Sequence, residues 1–378
     1  MADKRLVEPD LEFIRKVKKA GGENLKKCYQ CATCSVVCNL SPEKKPFPRK
    51  EMILAGWGQA GKLARDPDIW MCYQCNDCSV HCPRGAKPGD VLAALRAYTF
   101  EHYSFPSFMG KALASPGALP FLLLVPMILV AVMAWKFAGG DFSYIHGEEI
   151  VFKKFLPHPW LEALFMGGNA LIFLFAGIGL YRFWKGLNEA NGKAGKGFIS
   201  SLIAVIMEVI FHRTFFDCEA NRSRSWGHIL VFFGFMGAMA TAGLAVVAQM
   251  GFHLEPPIPL AHPIKWLGNA SLAAGLLGLL IIFYNRLTDP EKVGANGYPD
   301  WLFLIMLFLT FLTGGASQFV RIQGAAVPAY TIYYVHLVVV FFLLWYAPYS
   351  KLAHMFYRTL ALVYLKSIGR EKRKVDSR

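Results

Sequence analysis

Eight of the nine cysteines in this 378-residue chain fall into two runs of one spacing. Cys28, Cys31, Cys34 and Cys38 form the first, and Cys72, Cys75, Cys78 and Cys82, followed by Pro83, form the second. Both read C-x2-C-x2-C-x3-C. Three thiolates so close in the chain can hold most of one iron–sulfur cube, so the pattern predicts two [4Fe–4S] clusters and one-electron chemistry. Structural zinc is the competing reading, since thiolates bind that ion too. Four cysteines three or four apart, twice over, favour the clusters. The ninth, Cys218, stands among Asp217, Glu219 and Arg222 and reads as a free thiol in a loop.

Histidines could add haem to the clusters. His336 and His354 are 18 residues apart, five turns of a helix, so on one continuous helix they share a face about 27 Å apart. They would then serve separate haems near opposite membrane surfaces. Pro348 between them is a site for a bend. His228 opens an earlier helix at the side where the last one ends, which predicts a His228/His354 pair holding an inner haem b. His336 lies within a span, where an ionisable group is costly and marks function, as ligand of a second haem b or as a quinone contact. Its haem partner is open among His158, His253 and His262, all at helix edges, so one or two haems are expected. The bland alternative for His228 and His354 is contact with lipid headgroups or backbone.

The elements that must position these residues divide the chain by composition. A charged, cysteine-bearing segment, 1–104, is expected to be a helical iron–sulfur domain, with a helical stretch at Arg49–Leu63 between its cysteine runs. A turn-rich linker, 105–118, contains Phe105-Pro106 and Ser115-Pro116-Gly117. Residues 119–366 form the membrane domain, with six spans near 119–138, 162–184, 227–250, 263–285, 301–320 and 330–352, each about the ~20 residues a crossing needs. Residues 367–378 are a basic tail. Phe198–His212 is short for a span and carries Glu208, so it reads as an interfacial helix. With the N-terminus cytoplasmic, Lys185, Lys193, Lys196, Arg213, Arg222, Arg224, Arg286, Lys292 and the basic residues from Lys351 onward share the cytoplasmic side. Only Lys153, Lys154 and Arg321 face the other side, which sets the orientation in the cytoplasmic membrane. The net charge of +14 therefore marks topology rather than nucleic acid. The polar N-terminus offers no secretory signal, and a reducing compartment, where thiols bind metal, is expected.

These residues carry a resemblance. Tyr330–Lys366 resembles the last helix of the respiratory nitrate reductase gamma subunit, where two haem-binding histidines match His336 and His354. The stretch WGHILVFFGFMGAM is similar to the earlier ligand helix of that family and aligns His228 with a ligand. The second histidine of that helix is replaced by Ala238, a departure that bears on the outer haem. The N-terminal part is similar to the iron–sulfur C subunit of heterodisulfide reductases and the membrane part to their cytochrome b E subunit. Such a fusion is the layout of the C subunit in the quinone-interacting membrane-bound oxidoreductase complexes of sulfate reducers.

The resemblance implies an all-α protein, a helical two-cluster ferredoxin domain fused to a six-helix transmembrane cytochrome b bundle. It implies electron exchange between menaquinone and soluble proteins like heterodisulfide reductase A, which carry flavin and iron–sulfur groups, leading on to adenylylsulfate reductase in sulfate respiration. A heterodisulfide-reductase-like complex with another soluble acceptor is the alternative. In two-cluster ferredoxins the fourth cysteine of each run ligates the other cluster. The expected sets are Cys28, Cys31, Cys34 and Cys82 for one cluster, and Cys72, Cys75, Cys78 and Cys38 for the other. For the quinone pocket His262 and Lys265 are candidates, against an interfacial anchor and a snorkelling lysine. No Gly-rich nucleotide fingerprint follows a strand, so flavin or nicotinamide is expected on partners. A substrate-reducing terminal subunit would carry a Cys-Cys pair, and none occurs. A redox sensor or anchor would not need histidines matched in depth.

Overall fold

The computed structural model describes residues 7–147, 149–195, 197–212, 222–254, 256–289, 293–294 and 297–370. Among these residues there is no strand, and the fold is all-α as expected. The cysteine-bearing part is built from α1 (Leu11–Val17), α2 (Thr33–Val36), α3 (Arg49–Gly56), α4 (Ala60–Ala64), α5 (Asp77–Val80) and α6 (Pro88–Tyr103). Asp10 starts α1 by accepting the Phe13 backbone N–H at 2.8 Å, a side-chain N-cap. The stretch expected as one helix over Arg49–Leu63 is two. The chain turns between α3 and α4 at Gly58, with φ +66°, where a Cβ would sit 2.6 Å from the Asp10 backbone nitrogen. Glycine is needed there for both reasons. The segment expected as a linker likewise contains a helix, α7 (Ser107–Ala114).

The remainder comprises α8 (Leu119–Phe137), α9 (Phe152–Phe155), α10 (His158–Glu162), α11 (Gly168–Asn191), α12 (Phe198–Phe211), α13 (Arg222–Phe252), α14 (Pro263–Thr288), α15 (Tyr298–Ile322), α16 (Ala326–Trp345) and α17 (His354–Ser367). A single π turn, Ala163–Gly167, joins α10 to α11. Six stretches are long and apolar enough to cross a membrane: Pro116–Phe137, His158–Asn191, Ser223–Phe252, Pro263–Thr288, Tyr298–Ile322 and Ala326–Trp345. The protein is thus a multi-pass membrane protein, and each of its six spans overlaps one of the six expected. Helix α12 stays short. Its Ile199, Ile203, Ile206, Met207 and Ile210 are exposed while Ser201 and Val205 are buried, the pattern of a helix lying along a membrane surface.

A third expectation fails. The sixth span ends at Trp345, and two short 3-10 turns, Ala347–Tyr349 and Lys351–Ala353, precede α17. Pro348 brings no backbone N–H to continue the helix, and Ser350 turns extended and accepts the Leu352 N–H at 3.1 Å. His336 and His354 therefore lie on different helices, and their 18-residue spacing does not give them a common face.

Helices α13 and α14 meet along small residues, Gly227, Gly234 and Gly237 against Ser271, Gly275 and Gly278. A Cβ on Gly234 would lie 2.6 Å from the Gly275 nitrogen, so the two backbones touch, as small residues permit within membranes. Ala238, the departure noted in the sequence, packs with Leu272 and Leu276 beside the buried Phe311. The cysteine-bearing part is fused to the bundle by one core: Trp70 stacks on Tyr357 of α17 at 5.9 Å and meets Phe183 of α11 at 5.9 Å.

Candidate redox site

The two cysteine runs fold alike. In Cys28–Ala32 the residues Gln30 (φ 61°) and Ala32 (φ 69°) are left-handed, and in Cys72–Asn76 so are Gln74 (φ 55°) and Asn76 (φ 69°). Alternating left-handed residues curl each loop, and α2 or α5 then carries the third cysteine. Sulfur accepts hydrogen bonds in both loops: from Gln30 Nε2 to Cys28 at 3.2 Å, and from the Gln74 backbone N–H to Cys72 at 3.2 Å. The Ala86 N–H reaches Cys82 at 3.3 Å.

Thiol neighbours cross between the runs. Burial, with Cys28, Cys31 and Cys82 close by, pushes the Cys34 thiol up to about 11. Burial, with Cys72 and Cys75 close by, pushes Cys38 up to about 12. Cys78 is raised well above its usual value by burial and by Cys72, Cys75 and Cys38. Cys38 thus lies near Cys72, Cys75 and Cys78, and Cys82 near Cys34, while Cys34 is also within electrostatic reach of Cys78. Crowded buried thiols resist ionising alone, whereas a bound cationic metal deprotonates its thiol ligands outright. The donor set fits two iron–sulfur clusters. The groups differ in setting, because Cys31 is exposed while Cys72 and Cys78 are buried.

His354 opens α17, and its Nδ1 lies 2.5 Å from the Lys351 carbonyl. A carbonyl only accepts, so Nδ1 carries the proton and Nε2 keeps its lone pair, the tautomer a metal-ligating histidine needs. His336 reaches the same tautomer by another route. Its Nδ1 is 2.9 Å from Thr313 Oγ1, whose own proton goes to the Leu309 carbonyl at 2.6 Å. Its ring rests on Gly314, where a Cβ would lie 3.1 Å from Cε1. His228 on α13 is within electrostatic reach of His354, so the structure brings that expected pair to one end of the bundle. It also adds His212, at the left-handed end of α12, whose ring centroid is 5.7 Å from that of His228. In the sequence His212 serves only to end the amphipathic helix. Nothing in the sequence sets it apart, because its left-handed backbone and its contact with His228 arise only in the fold.

The outer candidates are placed otherwise. His158 is the first residue of α10, His253 follows α13, and His262 caps α14 by accepting the Ile264 N–H at 3.3 Å. Lys265 donates to Gln318 Oε1 at 2.9 Å. Cys218 lies outside the described residues.

The family model described as Citrate utilization protein B matches residues 111–376, more than two thirds of the chain. The chain belongs to the citrate utilization protein B family. Residues 24–86 match the 4Fe-4S dicluster domain, a segment that includes all eight paired cysteines, so the protein carries an iron–sulfur domain. The C subunit of the H(2):CoB-CoM heterodisulfide,ferredoxin reductase of Methanothermobacter marburgensis is 39% identical over 88 residues, 23% of this chain and 47% of that protein. Citrate utilization protein B of Escherichia coli is 28% identical over 293 residues, 72% of this chain and 73% of its own length. The E subunit of the dihydromethanophenazine:CoB--CoM heterodisulfide reductase of Methanosarcina thermophila is 25% identical over 211 residues, 52% of this chain and 75% of that protein. The chain spans about half the length of the first of these relatives. No solved structure matches. The expected fusion of a C-like iron–sulfur half to an E-like membrane half is borne out by relatives of both kinds.

In this member of the citrate utilization protein B family, ion pairing supports the histidine end. Asp300, in the first turn of α15, accepts the Gly297 N–H at 3.3 Å and pairs with Lys351. Lys351 is the residue whose carbonyl fixes the His354 ring. Asp300 thereby anchors the side chain of the residue whose carbonyl holds the His354 ring.

Proposed function

We propose that the chain is the membrane electron-transfer subunit of a heterodisulfide-reductase-like complex, passing electrons between menaquinone or menaquinol and soluble partners. The observation that carries the reading is that the second cysteine loop is held by Arg224 and Arg358, on the helices that carry His228 and His354, and that these two histidines lie within electrostatic reach of each other. Cys28, Cys31, Cys34 and Cys82 would hold one [4Fe–4S] cluster, and Cys72, Cys75, Cys78 and Cys38 the other. A b-type haem held by His228 and His354 would supply one-electron exchange with the membrane phase. The histidine tautomer at His354 and its support by Lys351 fit that role. His336, with its Nε2 uncommitted by the Thr313 contact, is the candidate for a second haem or for a quinone carbonyl.

The clustered basic residues support a cytoplasmic placement of the iron–sulfur half in the inner membrane. Exposed Cys31 lies beside exposed Tyr29 and Val36, with Arg84 over the Tyr29 ring at 4.1 Å. An apolar, basic-rimmed patch over a redox centre suits an acidic soluble partner, here proteins of the heterodisulfide reductase A kind. Adenylylsulfate reductase beyond them rests on the resemblance alone. The test is an optical spectrum of the purified full chain. Dithionite should give b-type haem bands that partly reoxidise with a menaquinone analogue. A preparation replete in clusters but without haem bands overturns the quinone link.

A further inference from the structure

Two arginines tie the second cysteine loop to the histidine-bearing helices. Arg224 on α13 donates from Nη1 to the Gln74 carbonyl at 2.7 Å. Arg358 on α17 donates from Nη1 to the Cys72 carbonyl at 3.0 Å. Each is about one turn from a candidate haem ligand, Arg224 four residues before His228 and Arg358 four after His354. Arg358 also lies over the Tyr73 ring, 3.7 Å from its centroid. From α6, Arg96 donates to the Ile69 carbonyl at 3.1 Å and to Gln74 Oε1 at 3.0 Å. A carboxylate, Glu208 of α12, lies 3.4 Å from the Tyr73 hydroxyl. Three guanidinium groups thus hydrogen-bond to the Cys72–Gln74 stretch.

A further observation points at a ligand. Nη2 of Arg358 is buried and has no hydrogen-bond partner among the described residues. Leaving a charged donor buried and unsatisfied is costly, so such a group calls for an acceptor. Beside it runs the loop whose thiols would hold a cluster, and cluster sulfurs accept hydrogen bonds. The first run differs: Arg84 meets Tyr29 at the exposed surface, and Arg49 is within electrostatic reach of the exposed Cys31.

We propose that Arg358 donates from Nη2 to a sulfur of the cluster held by Cys72, Cys75, Cys78 and Cys38, and that with Arg224 it raises the reduction potential of that cluster. The inference rests on the ligand sets of the proposed function. Its physical basis is that reduction adds negative charge to the cluster, and a fixed cation and an N–H···S bond both favour the reduced form. The same two arginines fix the loop against α13 and α17, so they are positioning residues as well. The other cluster, with Cys31 exposed, is left as the solvent-facing centre.

The test is an EPR-monitored redox titration of the full chain in detergent, with a soluble dysprosium chelate to mark the exposed cluster by enhanced relaxation. Arg358→Gln should lower the midpoint of the chelate-insensitive cluster alone. A tenfold fall in its reduced-to-oxidised ratio at fixed poise is expected, about 59 mV for a one-electron centre. Arg358→Lys keeps the charge but not the second nitrogen, and should shift the same signal less. An unchanged midpoint, or equal shifts in both clusters, overturns the proposal. Should the glutamine variant lose its cluster, Arg358→Lys and Arg224→Gln decide: a downward shift supports the proposal and unchanged midpoints refute it. Wild-type protein without two cluster signals would overturn the ligand sets themselves, a failure distinct from two signals that do not shift.

Discussion

Substituting Gly278 by alanine should disturb the proposed haem site without touching His228 or His354. The added Cβ would lie 2.6 Å from the Gly227 carbonyl oxygen, 2.8 Å from Leu230 Cβ and 2.8 Å from the Val231 nitrogen. Ordinary contact between carbons is about 3.5–4.0 Å, so the helices must part by several tenths of an ångström. Two of the three obstacles are backbone atoms, which no rotamer change removes, and Gly227 immediately precedes His228. Overpacking of this kind costs about 1–3 kcal/mol, which as an equilibrium is roughly 5- to 150-fold. Alanine's better helix propensity, about 0.8–1 kcal/mol, works the other way and sets the lower end of the effect. Gly243→Ala on α13 is the control, since nothing lies within 4 Å of its Cβ position. The assay is the haem-to-iron ratio and the low-spin b-type spectrum of each purified variant. Gly278→Ala should lose haem several-fold or broaden its spectrum while keeping both clusters, and Gly243→Ala should match wild type. Equal haem content and identical spectra in the two variants would refute the claim that the α13–α14 seam sets the position of His228.

Other perturbations separate the parts. His228→Ala and His354→Ala should abolish the same haem feature in optical redox titrations; losses of two different features would break the pairing. Lys50 Nζ lies 3.1, 2.9 and 2.6 Å from oxygens of Glu51, Asp66 and Asp68. Lys50→Met leaves those buried carboxylates with less compensation, and should cost about 3–5 kcal/mol in denaturant unfolding of the iron–sulfur half. Wild-type stability in that variant would show the cluster to be solvated. Burial, then neighbouring Asp66 and Asp68, holds the Glu51 carboxyl well above its usual 4.5. A raised carboxyl pKa carries no penalty below the unfolded value and a growing one as pH rises through the folded value. Glu51→Gln should therefore gain on wild type as pH is raised from about 4.5 towards 7 in thermal unfolding, and a gap that shrinks with pH would reverse the sign argued here.

Most of the membrane architecture was legible in the sequence, because a span is a local property: about twenty apolar residues announce it wherever the rest of the chain goes. The likeness of the two cysteine loops was legible for a related reason, since the same spacing gives each loop left-handed residues at matching positions. The last helix was misread where two local signals competed. Eighteen residues between His336 and His354 suggested five unbroken turns, while Pro348 marked the interruption that the structure contains. Proline prevailed because a missing N–H and a clash with the preceding turn act on the backbone directly, whereas spacing is only compatible with a helix. Spatial proximity was the least legible. Arg358 meets Cys72 across 286 positions of sequence, and Arg224 meets Gln74 across 150. Neither arginine looks unusual where it stands, and on sequence both counted only as positive charge at a membrane face. Their distances to the cysteine loop give that charge a chemical direction. The same two arginines bind the iron–sulfur half to α13 and α17, so removing either charge should change the docking of the two halves and the electronics of one cluster together.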